Sequence, residues 1–578
     1  MFNSKNPFTC KKIKCSTSLK HIRMRNNNSE VINELYFFIN IVTSSINCVK
    51  RRSTTSGDDG HYCVCNAEQC DETPDAIKSS NLAKYTLITS SKNGLRFRVS
   101  NGLFKQVNSN QDYKSQTKEP EIYRQLLKTL TTTVKIFHKN LKKILINPPK
   151  SEKIIVNQTQ TYQEIFGFGG AVTDSAAMNI FNLTQKTADN LLKSYFGTNG
   201  INYNFIRTPM GGTDFSTRPY TYAMTENDTS LSHFNLQVED YDYKIPVIKR
   251  AQELKKNKIK LLTTSWTASP WMKTKNSWSH DGKLRPEYRQ LWADYFVKYF
   301  EAYRNNSLEF WGLSPQNEPV NYIYINPSLN FNAMAWTPEE ERDWIIEYLS
   351  PTLKKKGFEH IKIFIMEENR LIIPDWPKKV FEDKRARDIV SGIALHFYFD
   401  NVIGPHNLNG IKQLFPEKSI IYTEACAGVF EDQKVILGSW RRGEIYAKSI
   451  IENMSNWVSA WIDWNIALDM TGGPNWINNF VDSPIIVNSI ADEFYKQPMF
   501  YVLGHFSKYV PPNSVRIGTT MENMIGIENI AFSTPDGGVV LIILNLNEQK
   551  KTILIEDPKK GATKIKVPPR SINTMKYW

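Results

Sequence analysis

Long hydrophobic runs are missing from this chain. The longest, Leu35–Val42, is interrupted by Asn40 and falls far short of the roughly 20 apolar residues a membrane-crossing helix needs. It has the dimensions of a signal-peptide core, with Lys20, Arg23 and Arg25 before it and Thr43-Ser44-Ser45 after it. Residues 1–45 therefore read as a leader or disordered segment, for which Met24 is the better-placed start. Charge excess is missing from most of the chain as well. The net charge of +14 is carried by residues 1–150, with 25 Lys/Arg against 11 Asp/Glu, whereas residues 151–578 hold 47 of each. No basic face is implied for the main body, so a nucleic-acid partner is set aside. The 9 histidines are scattered without ligand spacing, and neither a metal site nor a cofactor is expected. Beyond residue 70 cysteine is nearly absent, Cys426 alone remaining.

Six cysteines crowd the first 70 residues: Cys10, Cys15, Cys48, Cys63, Cys65 and Cys70. The run CVCNAEQC lacks the two paired knuckles of a zinc site. Disulfides, and with them an oxidising compartment, are the expectation. Spacing does not determine connectivity; Cys48–Cys63 and Cys65–Cys70 are the pairs we expect. Sequons at Asn157, Asn182, Asn227, Asn305 and Asn453 agree with secretion.

A length of 578 residues implies two or three domains. Residues 46–75 read as a cysteine-stapled β segment, completed by residues near 467–492. Residues 76–161 begin a β-sandwich: YTLITSSKNGLRFRVS alternates apolar and polar about an Asn93-Gly94 turn. A Lys-rich insertion at 108–150, with a possible helix over Ile122–Leu145, interrupts it. From 162 to 507 apolar runs alternate with helical patterns. Eight strands are expected: Glu164–Gly169, Tyr203–Thr208, Ile259–Ser265, Leu308–Ser314, Ile361–Met366, Gly392–His396, Ser419–Thr423 and Ala460–Trp464. Helices are bounded by Thr184 and Gly197, and opened by the capping box Thr337-Pro338-Glu339-Glu340. Eight strand–helix repeats predict an α/β chain with a (β/α)8 TIM barrel. Residues 508–578 return to period-two alternation, so one β-sandwich built from both termini is expected.

Barrel chemistry sits just after the strands. Glu318 ends the fourth in LEFWGLSPQNEP and Glu424 the seventh in KSIIYTEAC. Glycoside hydrolysis needs such a pair, one carboxyl to protonate the leaving oxygen and one to attack the anomeric carbon. Cys426, two residues on, has no nearby histidine in sequence and reads as a buried thiol rather than a nucleophile.

The segments CVCNA, GFGGAVTDSAA, INYNFIRTPM, TDFSTRPYTY, NEP, TEAC, GGPNWINNFVDSPIIV and FYKQPMFYVLGHFSK together carry a resemblance to the lysosomal glucosylceramidases, or acid β-glucosidases. It runs from about Cys48 to the C-terminus apart from 108–150. The resemblance implies retaining hydrolysis of glucosylceramide in sphingolipid catabolism, with Glu318 as acid/base and Glu424 as nucleophile. It implies that Asn317 holds the sugar 2-hydroxyl, that Asp214 takes the outer hydroxyls and that Trp266 and Trp464 contact the glucose. Arg207 would orient the nucleophile, His396 and Tyr398 would line the pocket near Glu424, and Asn479 and Phe480 would stand at its entrance. It further implies a lysosomal, lumenal location, peripheral contact with anionic lipid and a saposin-like activator. Trp278 and Trp336 are the expected lipid-touching aromatics. The stretch Tyr322–Trp336 does not align with the family, EACAGVF lacks a serine often found after the nucleophile, and 108–150 is extra. Competing readings are another β-glucoside or steryl glucoside as substrate, or a non-catalytic sugar- or lipid-binding relative.

Overall fold

The computed structural model describes residues 48–53, 60–105, 152–256, 258–279, 282–320 and 330–578. The leader, Cys10, Cys15 and the insertion at 108–150 with its helix lie outside the described residues.

Eight parallel strands close into a barrel in chain order: Gly167–Ala171, Phe205–Met210, Lys260–Ser265, Phe310–Ser314, Lys362–Asn369, Gly392–His396, Ser419–Glu424 and Val458–Asn465. Helices cover such strands on the outside, so both strand faces are buried and hydrophobic runs are continuous rather than alternating. The eighth is buried throughout. Inside, Phe205, Leu262, Phe364, Ile421 and Ile462 fill the barrel. Most boundaries shift by one or two residues, and two differ in a way that matters. Glu164 and Ile165 finish a long strand of the neighbouring sheet, Lys153–Ile165, and the first barrel strand starts at Gly167. Its glycines permit close approach: a Cβ on Gly169 would stand 2.3 Å from the Phe205 carbonyl oxygen. The fifth strand also runs on to Asn369, beyond its expected end at Met366.

The helices end where their caps predict. Gln185–Phe196 lies between Thr184 and Gly197. Pro338–Trp344 opens with a complete capping box, in which Thr337 Oγ1 accepts from the Glu340 N–H at 3.2 Å and Glu340 Oε2 from the Thr337 N–H at 2.8 Å.

Two further sheets flank the barrel. In the smaller, Val49–Arg52 and His61–Cys65 join Glu493–Lys496, Ile485–Asn488 and Leu468–Asp469. Disulfides Cys48–Cys63 and Cys65–Cys70 staple it, and it extends past residue 492 to Lys496. The larger has nine strands from both ends of the chain. Its order is Gly561–Val567, Lys551–Asp557, Lys153–Ile165, Ser514–Glu522, Ile527–Ser533, Val539–Asn545, Ser571–Tyr577, Lys84–Ser91 and Arg98–Leu103. It encloses its own core, including Ile154, Leu541, Ile555, Met575 and Tyr577. Buried His505 joins it to the barrel's last helix, Pro498–Ser507, its two ring nitrogens lying 2.9 Å from Ser90 Oγ and 2.8 Å from Thr574 Oγ1.

Candidate active site

Strand register brings the polar side chains together at one end of the barrel. His396, the last residue of the sixth strand, is paired with Asn369 on one side and Glu424 on the other. Arg207 stands within the second strand, Trp266 directly after the third and Trp464 near the end of the eighth.

Arg207 is the hub. It is wholly buried. Its Nη1 donates to Glu424 Oε2 at 2.5 Å; Nη2 donates to Asn317 Oδ1 at 2.7 Å and lies 3.0 Å from Glu367 Oε1. Its guanidinium carbon is 4.9 and 5.0 Å from the ring centres of Trp266 and Trp464, which stack on each other at 5.3 Å. Two carboxylates and two π faces thus replace the water this cation has lost. Because Arg207 takes the amide oxygen of Asn317, that residue is left with its NH2 as donor.

His396 was expected beside Glu424. It lies there, Nδ1 being 3.9 Å from Glu424 Oε1, and makes its hydrogen bonds to two other carboxylates, with Nδ1 2.9 Å from Glu318 Oε1 and Nε2 3.2 Å from Glu367 Oε1. Burial disfavours the imidazolium, but the charges of Glu424, Glu318 and Glu367 outweigh it and hold the His396 pKa up at about 10. Glu367 is likewise buried, yet Arg207 and His396 hold it down at about 2. Burial pushes Glu318 above the usual carboxylate range, against the pull of His396. Tyr398 is the residue that reaches Glu424, its hydroxyl donating to Oε1 at 2.6 Å and lying 3.4 Å from Cys426 Sγ. Burial drives the Cys426 thiol well above its ordinary pKa, as a buried thiol requires.

Above this network lies a cavity of about 380 Å³. Asp214, Trp266, Asn317, Glu318, Tyr398, Glu424, Trp464 and Asn479 line it. Asp214 Oδ2 accepts from Asn479 Nδ2 at 3.0 Å and Asn475 Nδ2 at 3.3 Å, and burial pushes its pKa to about 7. Phe480 lies between the cavity-lining Asn479 and Val481, its ring against Gly473, where an added Cβ would meet it at 2.8 Å. Trp336 is 6% exposed and packs on Trp344, so it is a core residue rather than a lipid-touching one. Trp278 is half-buried. Phe430, 71% accessible, is an exposed apolar side chain on the cavity wall.

Sequence reasoning missed Glu367, Asn475 and the cavity-lining Phe331. The signal for Glu367 was present: EEN directly follows the apolar run of the fifth strand. Glu318, His396 and Glu424 have ligand atoms within 4.8 Å of one another, a spacing a divalent ion could use. His396 has a carboxylate oxygen beside each ring nitrogen, Glu318 at Nδ1 and Glu367 at Nε2.

Residues 165–510 match the model of the glycosyl hydrolase family 30 TIM-barrel domain, and residues 513–575 that of the family 30 beta sandwich domain. The chain belongs to glycosyl hydrolase family 30. This family 30 enzyme is a glycosidase, with a barrel and a β-sandwich as its sequence predicted. It is 38% identical to lysosomal acid glucosylceramidase from Mus musculus over 89% of this chain and 92% of that one. It is 27% identical to an endo-1,6-beta-D-glucanase of Aspergillus fumigatus over 71% and 84% of the two chains. Among solved structures, SrfJ from Salmonella typhimurium aligns with a TM-score of 0.73 and 25% identity, covering 86% of this chain and 99% of that one. The endo-beta1,6-glucanase BT3312 aligns at 0.67 with 29% identity, covering 74% and 93%.

Proposed function

We propose that this glycosidase is a retaining β-glucosidase that hydrolyses glucosylceramide to glucose and ceramide. The observation that carries the retaining mechanism is the spacing of the two carboxylates. Oxygens of Glu318 and Glu424 lie within 4.8 Å, close to the roughly 5–5.5 Å of double displacement and short of the ~6.5–9.5 Å that leaves room for water between acid and base.

In the first step a Glu424 carboxylate oxygen attacks C1 while the Glu318 carboxylic acid gives its proton to the glycosidic oxygen. The C1–O bond breaks, ceramide leaves as an alcohol and an α-glucosyl ester remains on Glu424. In the second step Glu318, now a carboxylate, takes a proton from water, whose oxygen attacks C1 and releases Glu424 and β-glucose. Arg207 and Tyr398 hold the attacking carboxylate from two sides. The Asn317 NH2 meets the 2-hydroxyl, Asp214 with Asn479 takes outer hydroxyls, and Trp266 and Trp464 face the ring.

The lipid substrate is supported by the mouse relative's name, a glucosylceramidase, and by exposed Phe430 on the cavity wall, where an apolar aglycone or a bilayer surface would lie. Two disulfides support passage through an oxidising compartment, consistent with a lysosomal lumenal enzyme working peripherally on anionic membranes with a saposin-like activator. No described helix is long and apolar enough to cross a membrane. A mechanism-based 2-fluoro-glucoside should label the peptide that contains Glu424, and Glu424→Gln should lose at least ~10⁴-fold in turnover while keeping its fold. Label on another carboxylate would refute the assignment. A panel of glucosylceramide, steryl glucoside and 1,6-linked glucan decides the substrate.

A further inference from the structure

The fifth barrel strand carries a distortion that the reaction scheme has not used. Met366 and Glu367 have φ of +78° and +48°, the left-handed region that non-glycine residues seldom adopt. Register against the sixth strand slips there: Met366 pairs with Ala394 and Glu368 with Leu395, so Glu367 is the extra residue of a bulge. Pairing with the fourth strand has already stopped at Ile363. On that side the Met366 N–H is met by a side chain from another element.

That side chain is Glu341, in the helix Pro338–Trp344. It is buried, at 2% exposure. Its two oxygens accept from the Met366 N–H at 3.2 and 3.3 Å, and Oε2 also accepts from Trp376 Nε1 at 2.6 Å. No cation pairs with it among these contacts, and burial pushes its pKa to about 7. A buried carboxyl without a cation is costly, and simple packing at this position needs none.

The bulge has two outputs. The Glu367 carbonyl accepts from the Glu318 N–H at 3.0 Å, where Glu318 itself has φ of +42°. The Glu367 carboxylate holds Nε2 of the same imidazole whose Nδ1 meets Glu318. Backbone and side chain of the acid are therefore both fixed through Glu367.

We propose that Glu341 is a positioning residue for the acid/base step, pinning the Met366–Glu367 bulge so that Glu367 can hold Glu318 and His396 in place. The proposal rests on Glu318 being the acid. It acts on protonation of the leaving group, which sets its test. Glu341→Leu removes the acceptor and should lower kcat/KM on phenyl β-glucoside about 30-fold, but on 2,4-dinitrophenyl β-glucoside, whose leaving group needs no proton, less than about 3-fold. Glu341→Gln keeps an acceptor in place and should stay within about 3-fold on both. Equal losses on the two substrates, or none, would overturn the proposal. If Glu341→Leu does not fold, Trp376→Phe loosens Glu341 with its packing kept and should show a weaker loss with the same leaving-group bias; equal losses there overturn the proposal too. Glu318→Gln run alongside separates the two claims. If it shows no leaving-group bias, the acid assignment itself has failed; if it shows the bias and the Glu341 variants do not, only the positioning role has failed.

Discussion

Replacing Asp214 by asparagine should make the protein more stable at neutral pH while damaging its function. Asp214 is buried on the cavity wall, and that burial raises its pKa from 3.8 to about 7 despite hydrogen bonds from Asn479 and Asn475. A carboxyl with a raised folded-state pKa favours folding in its protonated form. Its contribution is intact below the unfolded value near 4 and is lost as pH climbs to about 7. At about 1.4 kcal/mol per pH unit the whole loss is roughly 4 kcal/mol, an upper bound because water enters a cavity mouth. Asparagine cannot ionise and still offers one oxygen to the two amides. The melting temperatures of wild type and Asp214→Asn should therefore coincide near pH 4, separate between pH 4 and 7 with the variant higher, and stay apart above 7. Calorimetric scans without ligand, in matched buffers, give the comparison, and a β-glucoside assay should show KM raised in the variant. A melting-temperature gap that is absent, reversed or independent of pH would refute the reasoning.

Arg207→Lys keeps a positive charge but loses the planar fork that reaches Glu424, Asn317 and Glu367 together; kcat/KM should fall about 10²-fold or more, and steady-state kinetics with purified variant reads it. The stabilising contribution of the Arg207–Glu367–His396 network has a defined window. Glu367, depressed from 4.5 to about 2, contributes above about 4.5 and stops contributing as pH falls through about 2; His396, raised from 6.5 to about 10, contributes below about 6.5 and stops contributing as pH rises through about 10. The deficit in melting temperature of His396→Asn should thus be constant from pH 4.5 to 6.5 and shrink above it, which a pH series of thermal scans tests.

What was legible in the sequence, and what was not, divides along physical lines. The eight barrel strands could be read because a strand buried on both faces is a continuous apolar run, and Glu318 and Glu424 because each closes such a run. The fifth strand was read short because its last three residues, Glu367, Glu368 and Asn369, are polar yet buried. Hydropathy equates polarity with exposure, whereas Arg207 and His396 hold Glu367 inside and the Tyr398 N–H bonds Asn369. His396 does stand beside Glu424, but register places the imidazole near both carboxylates, and only its χ angles decide that Nδ1 bonds Glu318. Trp336 and Phe430 show the limit for aromatics in loops. One is buried on Trp344 and the other projects into solvent, and nothing local in sequence tells them apart.

The pairing of Ser571–Tyr577 with Lys84–Ser91 has a consequence for the life of the chain. The two strands run together from Ser571 opposite Ser91 to Tyr577 opposite Tyr85, and a side-chain bond between them, Thr89 to Asn573, spans 484 residues of sequence. A ribosome completes the barrel before it releases the strand that joins the early hairpin to the rest of the sheet. Until then the hairpin carries an open edge, ready to pair with the wrong chain. Loss of Ser571–Tyr577 would empty the seventh position of a nine-stranded sheet and detach the hairpin beyond it. The strand that joins hairpin to sheet is thus a late-made keystone, and its loss should register in the cell as a folding failure before it registers as a loss of chemistry.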